Sequence, residues 1–334
     1  MITDNWREKY SNQISVSESL EFATLVRAHS EVAKATFHFF EDNNMIYVPV
    51  PGTTGSSSSP MEPGSDSAPV IVEIGGKRNL LVDSAQFHLE YACRSYKNGC
   101  FYYGHSYRDE EPDERHLSQF SHAEAEIVGT LDDVKLLVER YIRNITESIW
   151  NKAGSYFEII PGVKDRVESL LNNKNTFLSM TFSEVYRLLE KEEDAFIKCD
   201  NGGYRLTAKG ERKLLDKVGE FVWVEKWDKM TVPFYQANDV ESGIAYNADL
   251  LFGIGEVVGA GQRHLKANEL KSALDEHGLN CDDYKWYIEM KSQYPIQTAG
   301  FGMGVERYLM WLLGIKDIRC VELFPRDQLQ SGII

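Results

Sequence analysis

The sequence predicts an α+β fold, a mainly antiparallel sheet flanked by helices and interrupted by a helical insertion. Three observations lead there. Short strand-like runs recur in a hairpin rhythm without βαβ alternation, a long amphipathic helix stands near the start, and the text between 155 and 232 turns to charged amphipathic helices. A length of 334 residues allows one large domain, 1–334, carrying that insertion, or two domains. With 43% hydrophobic residues, including 16 Phe, 17 Tyr and 6 Trp, the chain can bury a core that offsets its ordering entropy, which excludes global disorder.

The elements follow in order. Residues 20–43 read as a helix because Phe22, Leu25, Val26, His29, Val32, Ala33, Phe37 and Phe40 repeat every three to four positions, and 45–50 (MIYVPV) reads as a strand. In 52–69, Gly, Ser and Pro fill twelve of eighteen positions and no period survives, so this stretch is expected to be a mobile lid over one sheet. Strands are expected at 69–74, 79–82, 100–104 and 124–128, then a helix over 132–150 with Asp132 or Asp133 at its N-cap. Within the insertion, Phe182, Val185, Leu188 and Leu189 line one helix face, and Leu214, Leu215 and Val218 line another. Sheet-like text resumes at 243–258, and 298–314 reads as a strand followed by a helix.

Lys plus Arg total 36 against 51 Asp plus Glu, a formal charge of −15, and no basic patch of useful length appears. That sign disfavours a protein whose main task is gripping phosphate backbones. Five scattered cysteines without a CxxC or a Cys/His cluster suggest reduced thiols. The first residues lack an apolar run behind a basic stretch, and nowhere do 18 apolar residues run together, so a soluble cytoplasmic protein is expected.

Three constellations could carry chemistry. Residues 299–308 (AGFGMGVERY) place Gly300, Gly302 and Gly304 before a helix with Arg307 in its first turn, an arrangement that suits an anion or a mere tight turn. Residues 107–126 hold Arg108, Glu110, Arg115, His116, Phe120, Glu124 and Glu126 on two strands and their loop, which is either a site or a solvated hairpin tip with ion pairs. Residues 249–263 set Asp249 and Glu256 before a glycine-rich bend and Arg263. Two hard carboxylates suit Mg²⁺ shared with substrate phosphates, and pairing with Arg263 would explain them equally well. Together these are parts for binding a nucleoside triphosphate outside the P-loop and kinase designs.

In order and spacing, segments of this sequence that include two of these constellations resemble the signature motifs of class II aminoacyl-tRNA synthetases, in the aspartyl/asparaginyl branch. The first motif resembles 20–51, the second 107–126, and the third 300–307 continuing to 323–327, so the likeness spans about 20–327. It implies the class II synthetase-like sheet, a homodimer through the 20–51 helix and strand, and ATP as a substrate with Mg²⁺. Arg108 would contact the α-phosphate, Glu110 the adenine edge and His116 the outer phosphates. Phe120 would stack on adenine, Gly304 would lie against the nucleotide, Arg307 would hold the γ-phosphate, and Asp249 and Glu256 would take the metal. Arg108 and Arg307 are thus the expected catalytic residues. For the amino acid, 84–90 (SAQFHLE) resembles the family's recognition strand. Gln86 would lie by the α-amino group, Glu124 by the ammonium, Arg263 by the side-chain oxygen and Glu90 by a side-chain amide. Leu89 stands where aspartate-specific members carry lysine, which favours an asparagine-like substrate.

The likeness departs at three points. Only about twenty residues stand before the first motif, so the family's N-terminal anticodon-binding barrel is not expected, the 52–69 lid offers only Glu62, Pro63 and Gly64 in place of an acidic-Gly-Ala pattern, and Gln119 replaces a glutamate beside Phe120. Together with the acidic charge, these lead to the expectation of an ATP-dependent ligase that forms an aminoacyl-adenylate and passes the acyl group to ammonia, a small molecule or a peptide, with tRNA not expected as a partner. Two alternatives stand beside it: a minimal asparaginyl-tRNA synthetase, and a non-catalytic regulatory paralogue.

Overall fold

The structure, a computed structural model, describes residues 13–58, 67–199 and 203–324. The expectations for Glu62 to Gly64 and for 325–327 lie outside the described residues.

The helix Leu20–Asp42 begins where the Ser19 hydroxyl accepts the Phe22 N–H at 3.1 Å, and it buries Leu25, Val32, Phe39 and Phe40 along one face. The helix expected at 132–150 is longer, Leu131–Phe157. Its N-cap is Thr130, and Asp133 reaches back to the Thr130 N–H at 2.9 Å. The carboxylate therefore acts from the third helical position of a capping box, not as the cap itself.

Eight strands form the main sheet, in the order Ile46–Tyr47, Cys100–Tyr107, Gln119–Val128, Thr298–Gly304, Gly255–Gln262, Asn247–Phe252, Val222–Glu225 and Leu178–Thr181. Only the outermost pair at each end is parallel, and the five pairings between are antiparallel. The mainly antiparallel sheet is as expected. The wholly helical insertion is not, because Leu178–Thr181 and Val222–Glu225 complete the main sheet and Phe196–Lys198 pairs with Tyr204–Leu206. Among the insertion's helices, Phe182–Leu189 buries Val185 and Leu189, whereas Leu188 faces out.

Two further corrections concern the approach to the cavity. Residues expected as a recognition strand form the helix Gln86–Ala92, whose buried positions Gln86, Phe87, Leu89 and Glu90 follow helical and not alternating spacing. The start of the expected lid is anchored. Thr53–Thr54 pairs with Lys77–Leu81, and the Ser57 and Ser58 hydroxyls donate to Asp83 at 2.9 and 2.6 Å. Tyr284 and Trp286 then bind Ser57 O and Ser56 Oγ, each at 2.8 Å.

Strand alternation divides the sheet into two faces. Phe101, Ala125, Phe301, Leu250 and Val258 join the core under the Leu20–Asp42, Leu131–Phe157 and Val305–Leu313 helices. Phe40 sits at its centre, stacked on Phe101 at 4.8 Å and on Tyr141 at 5.0 Å. Among the described residues no helix is long and apolar enough to cross a membrane. Phe40→Ala is expected to lower stability by about 3–5 kcal/mol in urea unfolding. Leu20→Ala, at a 65% exposed position, should change it by less than about 0.5 kcal/mol.

Candidate active site

The other face of the sheet floors a cavity of about 910 Å³. Its floor is bare because glycines line up on neighbouring strands. Gly259 and Gly261 come from Gly255–Gln262 and pair with Gly302 and Gly300 of Thr298–Gly304. On the other side, Gly300, Gly302 and Gly304 pair with Glu126, Glu124 and His122. A Cβ at Gly302 would approach His122 Nε2 to 2.5 Å, and one at Gly300 would strike the Glu126 carboxylate. The glycine run thus answers first to bulky polar neighbours, a reason that the tight-turn and anion readings both missed. Gly304 differs, since a Cβ there would meet only Arg307 at 3.7 Å.

The cavity gathers most of the residues expected from sequence. Gln86, Arg108, Glu110, His116, Phe120, Glu124, Asp249, Glu256, Arg263, Gly304 and Arg307 all line it. Arg108 and Phe120 come from the paired strands 100–107 and 119–128 and their loop, and the guanidinium carbon lies 5.3 Å from the ring centre. Arg307 is held by main-chain carbonyls, with Nη1 donating to Glu256 O at 2.9 Å and Nε to Arg115 O at 3.3 Å. His116 pairs with Asp113 at 2.9 Å on the loop between the strands. These groups define one end of the cavity, rich in cations and floored by glycine.

Asp249 and Glu256 converge at the same floor: a Cβ at Gly259 would lie 3.8 Å from Asp249 Oδ1 and 3.5 Å from Glu256 Oε1. Glu211, from the helix Ala208–Val218, donates a third carboxylate that binds Arg115 at 2.5 Å and the Glu256 N–H at 3.2 Å. Burial, and then the charges of Glu256 and Glu211, push the Asp249 carboxyl well above its ordinary value. Among the described residues no group of three or more His, Cys, Asp or Glu is arranged to hold a metal by itself. Two like-charged carboxylates beside open space nonetheless fit a hard divalent cation that takes its remaining ligands from phosphate and water.

At the opposite end, Arg263 is 4% exposed and grips Glu126 through Nε at 3.1 Å and Nη2 at 2.9 Å. Burial raises the Glu126 carboxyl and Arg263 opposes that rise. Glu124 receives the Ser84 hydroxyl, the Ala85 N–H at 2.7 Å and His122 Nδ1 at 3.1 Å. Burial would raise its carboxyl, but His122 and these hydrogen bonds outweigh it and hold it low. Tyr235 closes this end, with the Arg263 guanidinium 5.3 Å from its ring and burial raising its hydroxyl to about 12.

Glu90 departs from expectation. Its carboxylate is 1% exposed, accepts Lys291 Nζ and the Tyr287 hydroxyl at 2.5 Å, and does not line the cavity. Burial would raise this carboxyl, and Lys291 holds it below the usual range. It is a buried counter-charge beneath the wall. Sequence reasoning missed Tyr235, Glu211 and the pairing role of Glu126. Glu126 had a signal, since it follows His122 and Glu124 at two-residue spacing and so shares their face.

Asp249 also supplies a test. Its native carboxyl holds a proton more tightly than the unfolded chain's, so stability falls as pH rises from the ordinary carboxylate value through the raised native one. In metal chelator, Asp249→Asn should therefore melt at a higher temperature than wild type at pH 7.5, with the gap closing toward pH 4. A variant that melts lower across this range would contradict the assigned repulsion.

Comparison with known proteins agrees with this architecture. The family profile of tRNA synthetases class II (D, K and N) matches residues 8–328. An asparagine–tRNA ligase of Clostridium kluyveri is 29% identical, covering 91% of this chain and 70% of its own. The asparaginyl-tRNA synthetase of Homo sapiens is 30% identical, covering 91% and 66%. Among solved structures, asparaginyl-tRNA synthetase from Pyrococcus horikoshii, complexed with asparaginyl-adenylate, superposes with a TM-score of 0.85 at 23% identity, over 96% of this chain and 72% of that one. That of Entamoeba histolytica gives 0.83 at 23% identity, over 98% and 73%. The chain belongs to the class II tRNA synthetases of the D, K and N group, a family of ATP-using ligases.

Proposed function

We propose that the chain activates an asparagine-like amino acid with ATP as the aminoacyl-adenylate and transfers the acyl group to tRNA. The observation that carries the activation step is the bare glycine floor, bounded by Arg108 and Arg307 and by the Asp249 and Glu256 carboxylates. Such a floor admits a bent nucleotide flat against the backbone, and cations fixed in advance stabilise the charge that builds on the α-phosphate.

In this reading the adenine lies on Phe120 with Glu110 at its edge, while Arg108 meets the α-phosphate and His116 and Arg307 the outer ones. Gln86 and Glu124 hold the α-amino group, and Arg263, fixed by Glu126, meets the side-chain oxygen. The substrate carboxylate attacks the α-phosphorus and pyrophosphate leaves; the nucleophile is already an anion, so no general base is needed. Asp249 and Glu256 would hold Mg²⁺, which when bound neutralises phosphate charge. Main-chain tethering of Arg307 keeps its guanidinium aimed without reorganisation.

The acceptor reading moves from the sequence expectation. Acyl transfer to a non-tRNA acceptor finds no support in the relatives described above, whose names specify tRNA. The charge of −15 and the departures from the family pattern noted in the sequence are what favour a small acceptor such as ammonia.

Asparagine-dependent exchange of pyrophosphate into ATP is the direct test. Arg108→Ala and Arg307→Ala are each expected to lower it by roughly 10² or more. Labelled asparagine should accumulate on total tRNA at low salt. Exchange without tRNA labelling, with discharge to ammonia, would reject the tRNA acceptor and leave activation standing. No exchange with any amino acid would reject both.

A further inference from the structure

The displacement of Glu90 leaves the amide of an asparagine-like substrate without the acceptor expected for it, because both oxygens of that carboxylate are engaged under the wall. A carboxamide needs two kinds of partner: a donor for its oxygen and an acceptor for its NH₂. Arg263 supplies the first. The second must come from a side chain beside Arg263 with an oxygen to spare.

Among the described residues, two such unpartnered oxygens line the cavity. Gln236 is the bridge partner of Arg263 across the backbone, and its side chain lies over Gly261, where a Cβ would strike its amide. Asn247 stands directly opposite Gly261 on the neighbouring strand, two residues before Asp249 and therefore on the cavity face. Both residues line the cavity, and Asn247 is 3% exposed. Gln236 Oε1 and Asn247 Oδ1 are buried, and neither has a hydrogen-bond partner among the described residues. Buried carbonyl oxygens are normally satisfied, so two orphans converging on one glycine beside a buried arginine mark a place where a ligand's N–H belongs.

We infer that Gln236 and Asn247 read the side-chain NH₂ of the activated amino acid, with Arg263 reading its oxygen, so that the pocket selects a carboxamide over a carboxylate. This rests on the amino-acid-activating reading above and adds its specificity. A side-chain carboxylate would bring a second oxygen against the two carbonyl oxygens and gain no hydrogen bond there. A pocket built to bond an N–H rejects analogues that lack it, because its own polar groups are then left unpaired.

Calorimetric titration with asparagine, aspartate and β-cyanoalanine tests this without requiring turnover. The nitrile keeps an acceptor for Arg263 and lacks the N–H donors, so it removes the contact from the ligand side. Wild type should bind asparagine at least roughly tenfold more tightly than either analogue. Gln236→Met and Asn247→Leu should each erode that preference by roughly tenfold, while Gln236→Glu, which keeps an acceptor, should retain it. The inference is overturned if asparagine binds no better than aspartate or β-cyanoalanine, if none of the three binds, or if both apolar variants discriminate as wild type does. Selective binding without pyrophosphate exchange would uphold this contact and reject the activation chemistry, so the two failures are separable. The ligand-side comparison decides even if a variant does not fold.

Discussion

A Cβ at Gly300 would strike the Glu126 carboxylate, one at Gly302 would come within 2.5 Å of His122 Nε2, and one at Gly261 would strike the Gln236 amide. The cavity depends on this constraint. In an ordinary sheet each strand contributes a side chain to each face at every second position, and a face so filled has no depth. Here two adjacent strands contribute hydrogen atoms, so the large polar side chains of their neighbours lean inward over the gap. The geometry that opens the cavity is also what brings Glu126 onto Arg263 and His122 onto Glu124.

Leaning inward, those groups lose water, and each carboxylate is managed in a different way. Glu126 is matched by a buried guanidinium, Glu124 by hydrogen bonds and His122, and Glu90 by Lys291. Removing one partner from such a pair typically costs 3–5 kcal/mol, because the remaining charge is stranded in a poor solvent. His264 stands within this network with burial lowering its ring to about 4, so it is neutral near pH 7 and adds no charge. Asp249 is the exception: the charges that act on it, Glu256 and Glu211, are alike.

The fold was legible in the sequence where one period dominated. The 20–43 helix follows from spacing because it has one buried face, whereas the 100–104 and 124–128 strands are legible as short strand-forming runs although both of their faces are buried. The segment 84–90 was misread as a strand because family likeness outweighed its own helical spacing. The insertion was misread because its two sheet strands are only four residues each and lie among stronger helical signals. Most of the site was legible as types of residue in order. What it lacked was orientation: nothing in 84–90 says that Lys291, about two hundred positions on, would claim Glu90. Tyr235, Gln236 and Asn247 come from connecting chain and from the strand after it, where neither motif nor period points to a pocket.

Glu211 belongs to the insertion, yet its carboxylate holds Arg115 and the Glu256 backbone at the cationic end of the cavity. Arg115 in turn offers its carbonyl to Arg307. The segment 155–232 is therefore wired to the cationic end of the cavity through three contacts. Its surface can diverge freely, but the angle at which the 208–218 helix meets the sheet cannot change without moving Arg307. Evolutionary remodelling of this appendage would be felt as a shift of the Arg307 guanidinium before any new surface could be put to use.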